Sequence, residues 1–180
     1  MKRRLLRPAL FGLCVLSSSS VLATNGMLPY GLGTKAKGLA GAGIAMPEEA
    51  MSVATNPAAG VWVNQRYELG ASLFSPRREI TEHGGAGGFV VPGTYTSDSD
   101  YFLIPHAAWN WRLKENSSFA LAIYGAGGMN TDYPSQMWNP PATTGSTGID
   151  LKQLFIAPTY SHKLNDKTSV GISAIVAIQA

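Results

Sequence analysis

Cysteine, long apolar runs and charge are what this chain has least of. Its only cysteine, Cys14, falls within the first 23 residues. Without a disulfide, an exported chain must draw stability from an apolar core, a metal or a membrane. Beyond residue 23 no run of 18 or more apolar residues occurs, which excludes transmembrane helices. The three histidines, His83, His106 and His162, lie far apart with no ligand-type spacing, so no metal site is expected. No Gly-x-Ser-x-Gly nucleophile elbow is present. Gly31-Leu32-Gly33 echoes a dinucleotide loop, but no strand precedes it and no αβ alternation follows. Neither a cofactor nor an enzyme activity is expected.

Met1 to Ala23 reads as a secretory signal peptide. Lys2, Arg3, Arg4 and Arg7 form its basic start, Pro8 to Leu16 its apolar core, and Val21-Leu22-Ala23 a small-residue cleavage site. Leu13 precedes Cys14 where a lipoprotein signal needs a small residue, which argues against lipidation. Removing this leader takes four basic residues and no acidic ones, leaving ten Lys and Arg against eleven Asp and Glu. The basic pI therefore belongs mainly to the leader, and no basic patch remains to argue for nucleic acid.

What is present is a repeat. Arg112-Leu-Lys-Glu-Asn-Ser-Ser-Phe-Ala-Leu-Ala122 aligns with Lys163-Leu-Asn-Asp-Lys-Thr-Ser-Val-Gly-Ile-Ser173. Each copy is a polar turn between alternating segments, and a long Gly/Pro/Thr-rich stretch separates them. Short turns at one end and long loops at the other are the rhythm of an outer-membrane barrel.

Residues 24–64 lack strand alternation and are rich in Gly and Ala. Pro47 to Ala54 predicts a short helix, with Pro at its start and Glu48 and Glu49 in its first turn. Asn56-Pro57-Ala58 is expected to stop it. From Tyr67 the period becomes two: Tyr67, Leu69, Ala71 and Leu73 share a face until Pro76 ends the strand. Arg77 to Asp100 reads as a long loop, whose Arg77, Arg78, Glu79 and Glu82 are either a solvated charge set or a contact for lipopolysaccharide.

A second strand is expected over Phe102–Leu113, with Leu103, Ala107, Trp109, Trp111 and Leu113 on one side. Its two tryptophans before a polar turn suggest an interfacial aromatic girdle; the alternative is a sandwich core under a second sheet. The third strand, Phe119 to Gly125, runs into Gly125-Ala126-Gly127-Gly128, which marks a bulge, kink or close approach. Met129 to Asp150 reads as a second long loop. A fourth strand over Leu151–His162 and a fifth from Ser169 onward complete the pattern, the fifth with Val170, Ile172, Ala174, Val176 and Ile178 on one face.

The expected fold is all-β: about five strands of an incomplete transmembrane antiparallel barrel, with a small amino-terminal plug of loops and short helices. Five strands cannot close a barrel, and open edges in hydrocarbon cost several kcal/mol per unmet backbone group. The chain is thus expected to be the amino-terminal piece of a longer protein, or else one subunit of a shared barrel.

Gly31-Leu-Gly-Thr-Lys-Ala-Lys-Gly-Leu-Ala-Gly-Ala-Gly43, Ala45-Met-Pro-Glu-Glu-Ala50 and Ala54-Thr-Asn-Pro-Ala-Ala-Gly60, followed by Leu73-Phe-Ser-Pro-Arg-Arg78, resemble the opening of the FadL-type outer-membrane transporters of long-chain fatty acids and aromatic hydrocarbons. Gly127-Gly-Met-Asn-Thr-Asp-Tyr-Pro134 is similar to that family's third strand entering an outer loop. The resemblance implies a lumenal plug, or hatch, over 24–64, capture of a hydrophobic compound among outer loops, and sideways exit into the membrane through a break in the wall. It places Asn56, Pro57 and Ala58 in the plug turn and Gly125, Gly127 and Gly128 at the wall break. Met129, Tyr133, Met137 and Trp138 become candidate substrate contacts. The implied partners are hydrophobic small molecules and outer-membrane lipid. Two other readings stay open: a structural or adhesive barrel that binds a surface partner through its loops, and a barrel enzyme.

Overall fold

The computed structural model describes residues 29–84, 87–140 and 146–180. The expected signal peptide, residues 1–23, lies outside them, as does the start of the segment expected as a plug.

The chain is predominantly antiparallel sheet. Strands β1 (Arg66–Phe74), β4 (Phe102–Lys114), β5 (Ser117–Pro134), β6 (Ser146–Asn165) and β7 (Thr168–Ser173) follow one another in the order β1-β4-β5-β6-β7, and β8 (Val176–Gln179) also pairs with β6. The sheet is not closed. β7 and β8 hold a single register on β6, with Thr159 opposite Ser173 and Ile156 opposite Val176. The interruption at Ala174 and Ile175 has a local cause. Pro158 stands opposite Ala174 and has no N–H to donate, although its carbonyl still accepts from the Ala174 amide at 3.1 Å. The fifth alternating segment is thus one strand with a missing rung.

The repeat has a structural counterpart. Glu115-Asn116 and Asp166-Lys167 form two-residue turns. Each follows a register shift in the preceding strand, between Arg112 and Lys114 in one copy and between Lys163 and Asn165 in the other.

At the other end of the sheet, two segments expected as loops are ordered differently. Within 77–100, β2 (Glu79–Glu82) and β3 (Gly93–Thr96) pair as a separate hairpin. Four-residue strands among charged residues carry too little alternation to stand out. Within 129–150, β5 continues unbroken through the glycine cluster to Pro134, a short 3₁₀ turn occupies Ser135–Met137, and β6 begins at Ser146. Pairing with β6 supports β5 where its own glycines give little preference for a strand.

The sheet has two unlike faces. On one, Leu69, Leu103 and Ile172 are at least 71% exposed, and among the described residues no second sheet covers them, so the sandwich alternative is not what forms. Trp111, Phe119 and Tyr160 sit in one row of this face beside the turns, with the Trp111 and Phe119 rings stacked at 5.9 Å. The other face is lined by Ala108, Ala120, Ala122 and Ala157, all fully buried beneath Ala50, Met51 and Val53. Methyl side chains hold the covering segment close to the sheet, which is why the core is built from small residues.

That segment contains α1 (Thr34–Gly38) and two 3₁₀ turns, Ala50–Ala54 and Pro57–Val61. The helix expected from Pro47 is confined to the first of these turns. Asn56 does more than stop it, because its side-chain oxygen accepts from the Ala58 amide at 3.1 Å and so caps the next turn.

Candidate functional site

The turn around Pro57 is seated on the sheet by polar contacts from three strands. Ser161 donates to the Pro57 carbonyl at 2.6 Å, and Ser169 donates to that of Ala58 at 3.0 Å. Asn110, 1% exposed, donates its amide to the carbonyls of Gly60 and Val63, each at 2.9 Å. Two glycines make this approach possible. A Cβ on Gly171 would overlap the Pro57 carbonyl, and one on Gly60 would come within 2.7 Å of Ser118 Oγ. Asn56 also donates to the Ile44 carbonyl at 3.0 Å, which ties the turn to the earlier part of the segment.

A second set of contacts holds α1. Glu49 is 5% exposed and its carboxylate accepts from the Lys35 and Ala36 amides at 3.0 and 2.9 Å. It therefore satisfies the free amides of α1 instead of opening a helix at its own position. Gly33 leaves the room for it, since a Cβ there would overlap that carboxylate. Lys37 donates to Ser72 of β1, and Thr34 Oγ1 lies 3.5 Å from His106 Nε2 on β4. Burial pulls the Lys37 ammonium below its ordinary value, opposed in part by the charge of Glu49. Replacing Glu49 with Ala should leave two part-buried amides at the start of α1 without their acceptor, a loss of about 1 kcal/mol. Exchange of the Lys35 and Ala36 amides should then accelerate about fivefold, and unchanged protection would refute the capping role.

Farther along β5 the sheet divides. The β4–β5 ladder ends at His106 opposite Tyr124. On either side pairing continues: β4 with β1 to Phe102 opposite Phe74, and β5 with β6 to Pro134 opposite Ser146. Gly125 sits at this parting, where a Cβ would come within 3.1 Å of Ile104 Cγ2. On the apolar face the parting opens a concavity of about 230 Å³ lined by Leu69, Pro105, Ala107, Ile123 and Leu154, with Gly70 and His106 also reaching it.

The register on β6 slips between Gly125 and Gly127, leaving Ala126 as an extra residue. Side chains alternate along a strand, so this residue reverses the faces beyond it. Phe119, Leu121 and Ile123 lie on the apolar face. Met129 and Tyr133 have the same parity, yet they pair with Leu151 and Thr147 and so share the face that carries the amino-terminal segment. None of Gly125, Gly127 and Gly128 has positive φ; what they provide is space. A Cβ on Gly127 would overlap the Gln153 side chain, and one on Gly128 would come within 2.9 Å of the Leu151 carbonyl.

Met137 is 5% exposed. Its carbonyl accepts from the Val91 amide at 2.8 Å, while the Asn139 amide donates to Phe89 at 2.8 Å. Trp138 donates its indole N–H to Thr147 at 3.0 Å. The segments after β2 and after β5 are thereby knitted together. The structure sorts the site residues expected from sequence into two groups. Asn56, Pro57 and Ala58 lie near the two-residue turns, whereas the glycines, Met129, Tyr133, Met137 and Trp138 lie along the opposite half of β5 and beyond it.

The family model of outer membrane protein transport proteins (OMPP1/FadL/TodX) matches residues 15–180. The chain belongs to this family. No curated protein and no solved structure matches it. As an OMPP1/FadL/TodX protein it is an outer-membrane protein for the transport of hydrophobic compounds, and its family is one of transporters, not of enzymes.

Within this family member, sequence reasoning passed over Gly171 and Ser161 and assigned Glu49 to a helix opening at Pro47, whereas it serves α1. Gly171 had a visible signal, a glycine in an otherwise well-formed alternating strand. Ser161 and Glu49 had none, because their partners lie 104 and 14 residues away in the chain.

Proposed function

We propose that the chain serves the passage of long-chain fatty acids or aromatic hydrocarbons across the outer membrane. In this reading residues 24–64 plug the barrel lumen, the loops beyond β5 capture substrate, and the substrate leaves sideways between β4 and β5. The observation that carries it is the parting of those two strands, which opens an apolar concavity while both flanking ladders continue.

The physical reason for a side exit lies in the solute. An alkyl chain that crosses a water-filled pore gives up burial worth about 0.8 kcal/mol per methylene. A path from an apolar pocket directly into lipid avoids that barrier. The register reversal supports the same reading, since it turns Met129 and Tyr133 to the face that carries the amino-terminal segment. The apolar face and its row of Trp111, Phe119 and Tyr160 suit contact with outer-membrane lipid, with the aromatics at the interface. Arg77 and Arg78 suit contact with lipopolysaccharide phosphates.

Uptake of labelled fatty acid or aromatic hydrocarbon should rise when the full-length protein is expressed in cells without their own transporter. Unchanged uptake by a correctly inserted barrel would overturn transport as the function.

A further inference from the structure

Above the parting, the chain that enters β4 is joined to β5 again. The Asp98 amide donates to the Asp132 carbonyl at 2.8 Å. In a regular antiparallel pair the Asp132 amide would return the bond to Asp98; it donates instead to the hydroxyl of Ser97 at 3.0 Å. Ser97 is 1% exposed, and its hydroxyl also accepts from the Ser99 amide at 3.4 Å. Its own amide donates to the Arg78 carbonyl at 3.0 Å. Arg78 in turn donates to the Ser99 carbonyl and lies over the Phe102 ring at 5.6 Å. One buried serine thus fastens the segment that leaves β1, the segment that enters β4 and the outer part of β5.

The parting is therefore a window, closed at both ends. Its sill is the rung of His106 and Tyr124, and its lintel is the contact of Ser97 and Asp98 with Asp132. Among the described residues no backbone hydrogen bond crosses between Ser99–Pro105 and Gly127–Thr131. Sill and lintel are eight residues apart on each side, about 26 Å of extended chain. The β5 side is backed by β6, and the β4 side is backed by β1 from Phe102 onward. Edges of equal length, pinned at both ends and each backed by a ladder, have no slack to bow apart, so the window stays tall and narrow. The next tie beyond the lintel joins the Val91 amide to the Met137 carbonyl at 2.8 Å, seven residues farther on one side and five on the other. Release of the lintel would therefore lengthen the window and give one edge slack.

We propose that Ser97 is a positioning residue that sets substrate specificity: by fastening the lintel it confines sideways exit to thin molecules, such as unbranched alkyl chains and flat rings, and turns back compounds that are thick in every direction. The inference rests on the exit between β4 and β5 proposed above. A thin chain lies along the window and keeps its apolar contacts on the way into lipid. A cage-shaped group must spread the two edges, and the lintel resists that.

The test compares uptake of labelled hexadecanoic acid with that of a fatty acid capped by an adamantyl cage, using the full-length protein in cells without their own transporter. The parent should strongly prefer hexadecanoic acid. Ser97→Ala removes the hydroxyl that receives the Asp132 amide, and should lower this preference about fivefold by admitting the cage, with uptake of hexadecanoic acid unchanged. Ser97→Thr keeps the hydroxyl and should keep the parent's preference. A disulfide between Asp98→Cys and Asp132→Cys, formed in the Ser97→Ala protein, should restore the preference and still pass hexadecanoic acid, because exit lies below the lintel. An unchanged preference in Ser97→Ala would overturn the role of Ser97, and so would an equal loss in Ser97→Thr. Hexadecanoic acid uptake that stops on oxidation and returns on reduction would overturn the lintel as a fixed boundary, and this comparison can be made with Ser97 intact if Ser97→Ala does not insert. A parent that takes up neither compound would overturn the transport reading itself.

Discussion

Deleting Ala126 should abolish most uptake of long-chain fatty acid while leaving the protein inserted in the outer membrane. Ala126 is the extra residue at the register slip between Gly125 and Gly127. Without it β5 keeps one phase throughout, and the reversal of phase ahead of Met129 and Tyr133 is lost. The deletion also removes the irregularity beside which the β4–β5 ladder stops at His106 and Tyr124, so β4 can pair farther along β5 and narrow the opening. Both changes leave backbone pairing intact or improved, which is why folding should survive. Substrate uptake in cells without their own transporter, set against heat-modifiable mobility as a measure of insertion, separates the two effects. Normal uptake by the deleted form would show that neither the phase reversal nor the parting of the strands matters for passage.

Gly171→Val should unseat the amino-terminal segment and make the full-length barrel leaky to small solutes. The new side chain would occupy the place of the Pro57 carbonyl and the Ala58 amide. Valine suits a strand better than glycine does, so the sheet itself is not the casualty. Overpacking of this kind costs about 1–3 kcal/mol, and one to two of those shift a two-state balance by roughly a factor of 5–30. The hydrogen bonds from Ser161 and Ser169 would lengthen or break in the same movement. Liposome swelling with sugars of graded size reads the leak, and limited proteolysis between residues 34 and 61 reads the displacement. A barrel as tight and as protease-resistant as the parent would mean that the Pro57 turn contributes nothing to closure.

Much of the sheet was legible because alternation is a local property. Tyr67 to Leu73, Phe102 to Leu113 and the strand from Ser169 announce their two faces in composition alone, and the repeated polar turns give their spacing. The hairpin within 77–100 was not legible. Its strands are four residues long and mostly exposed, so neither face carries a pattern. Continuation of β5 past Gly128 was hidden for another reason: glycine gives no sign of a strand that is held by its neighbour. The candidate site was legible only in part. Asn56 and Pro57 mark a turn, and the glycine cluster marks an irregularity, but neither says which way the following side chains point.

The apolar face, the two short turns and the small-residue character of the opposite face were settled by residue order, because period-two patterning needs only neighbours a few positions apart. Tertiary structure alone decided where the amino-terminal segment rests, that Glu49 serves α1, and that Met129 and Tyr133 share its side of the sheet. Those outcomes depend on atoms brought together from distant parts of the chain, and on one unpaired residue whose effect exists only relative to the adjacent strand.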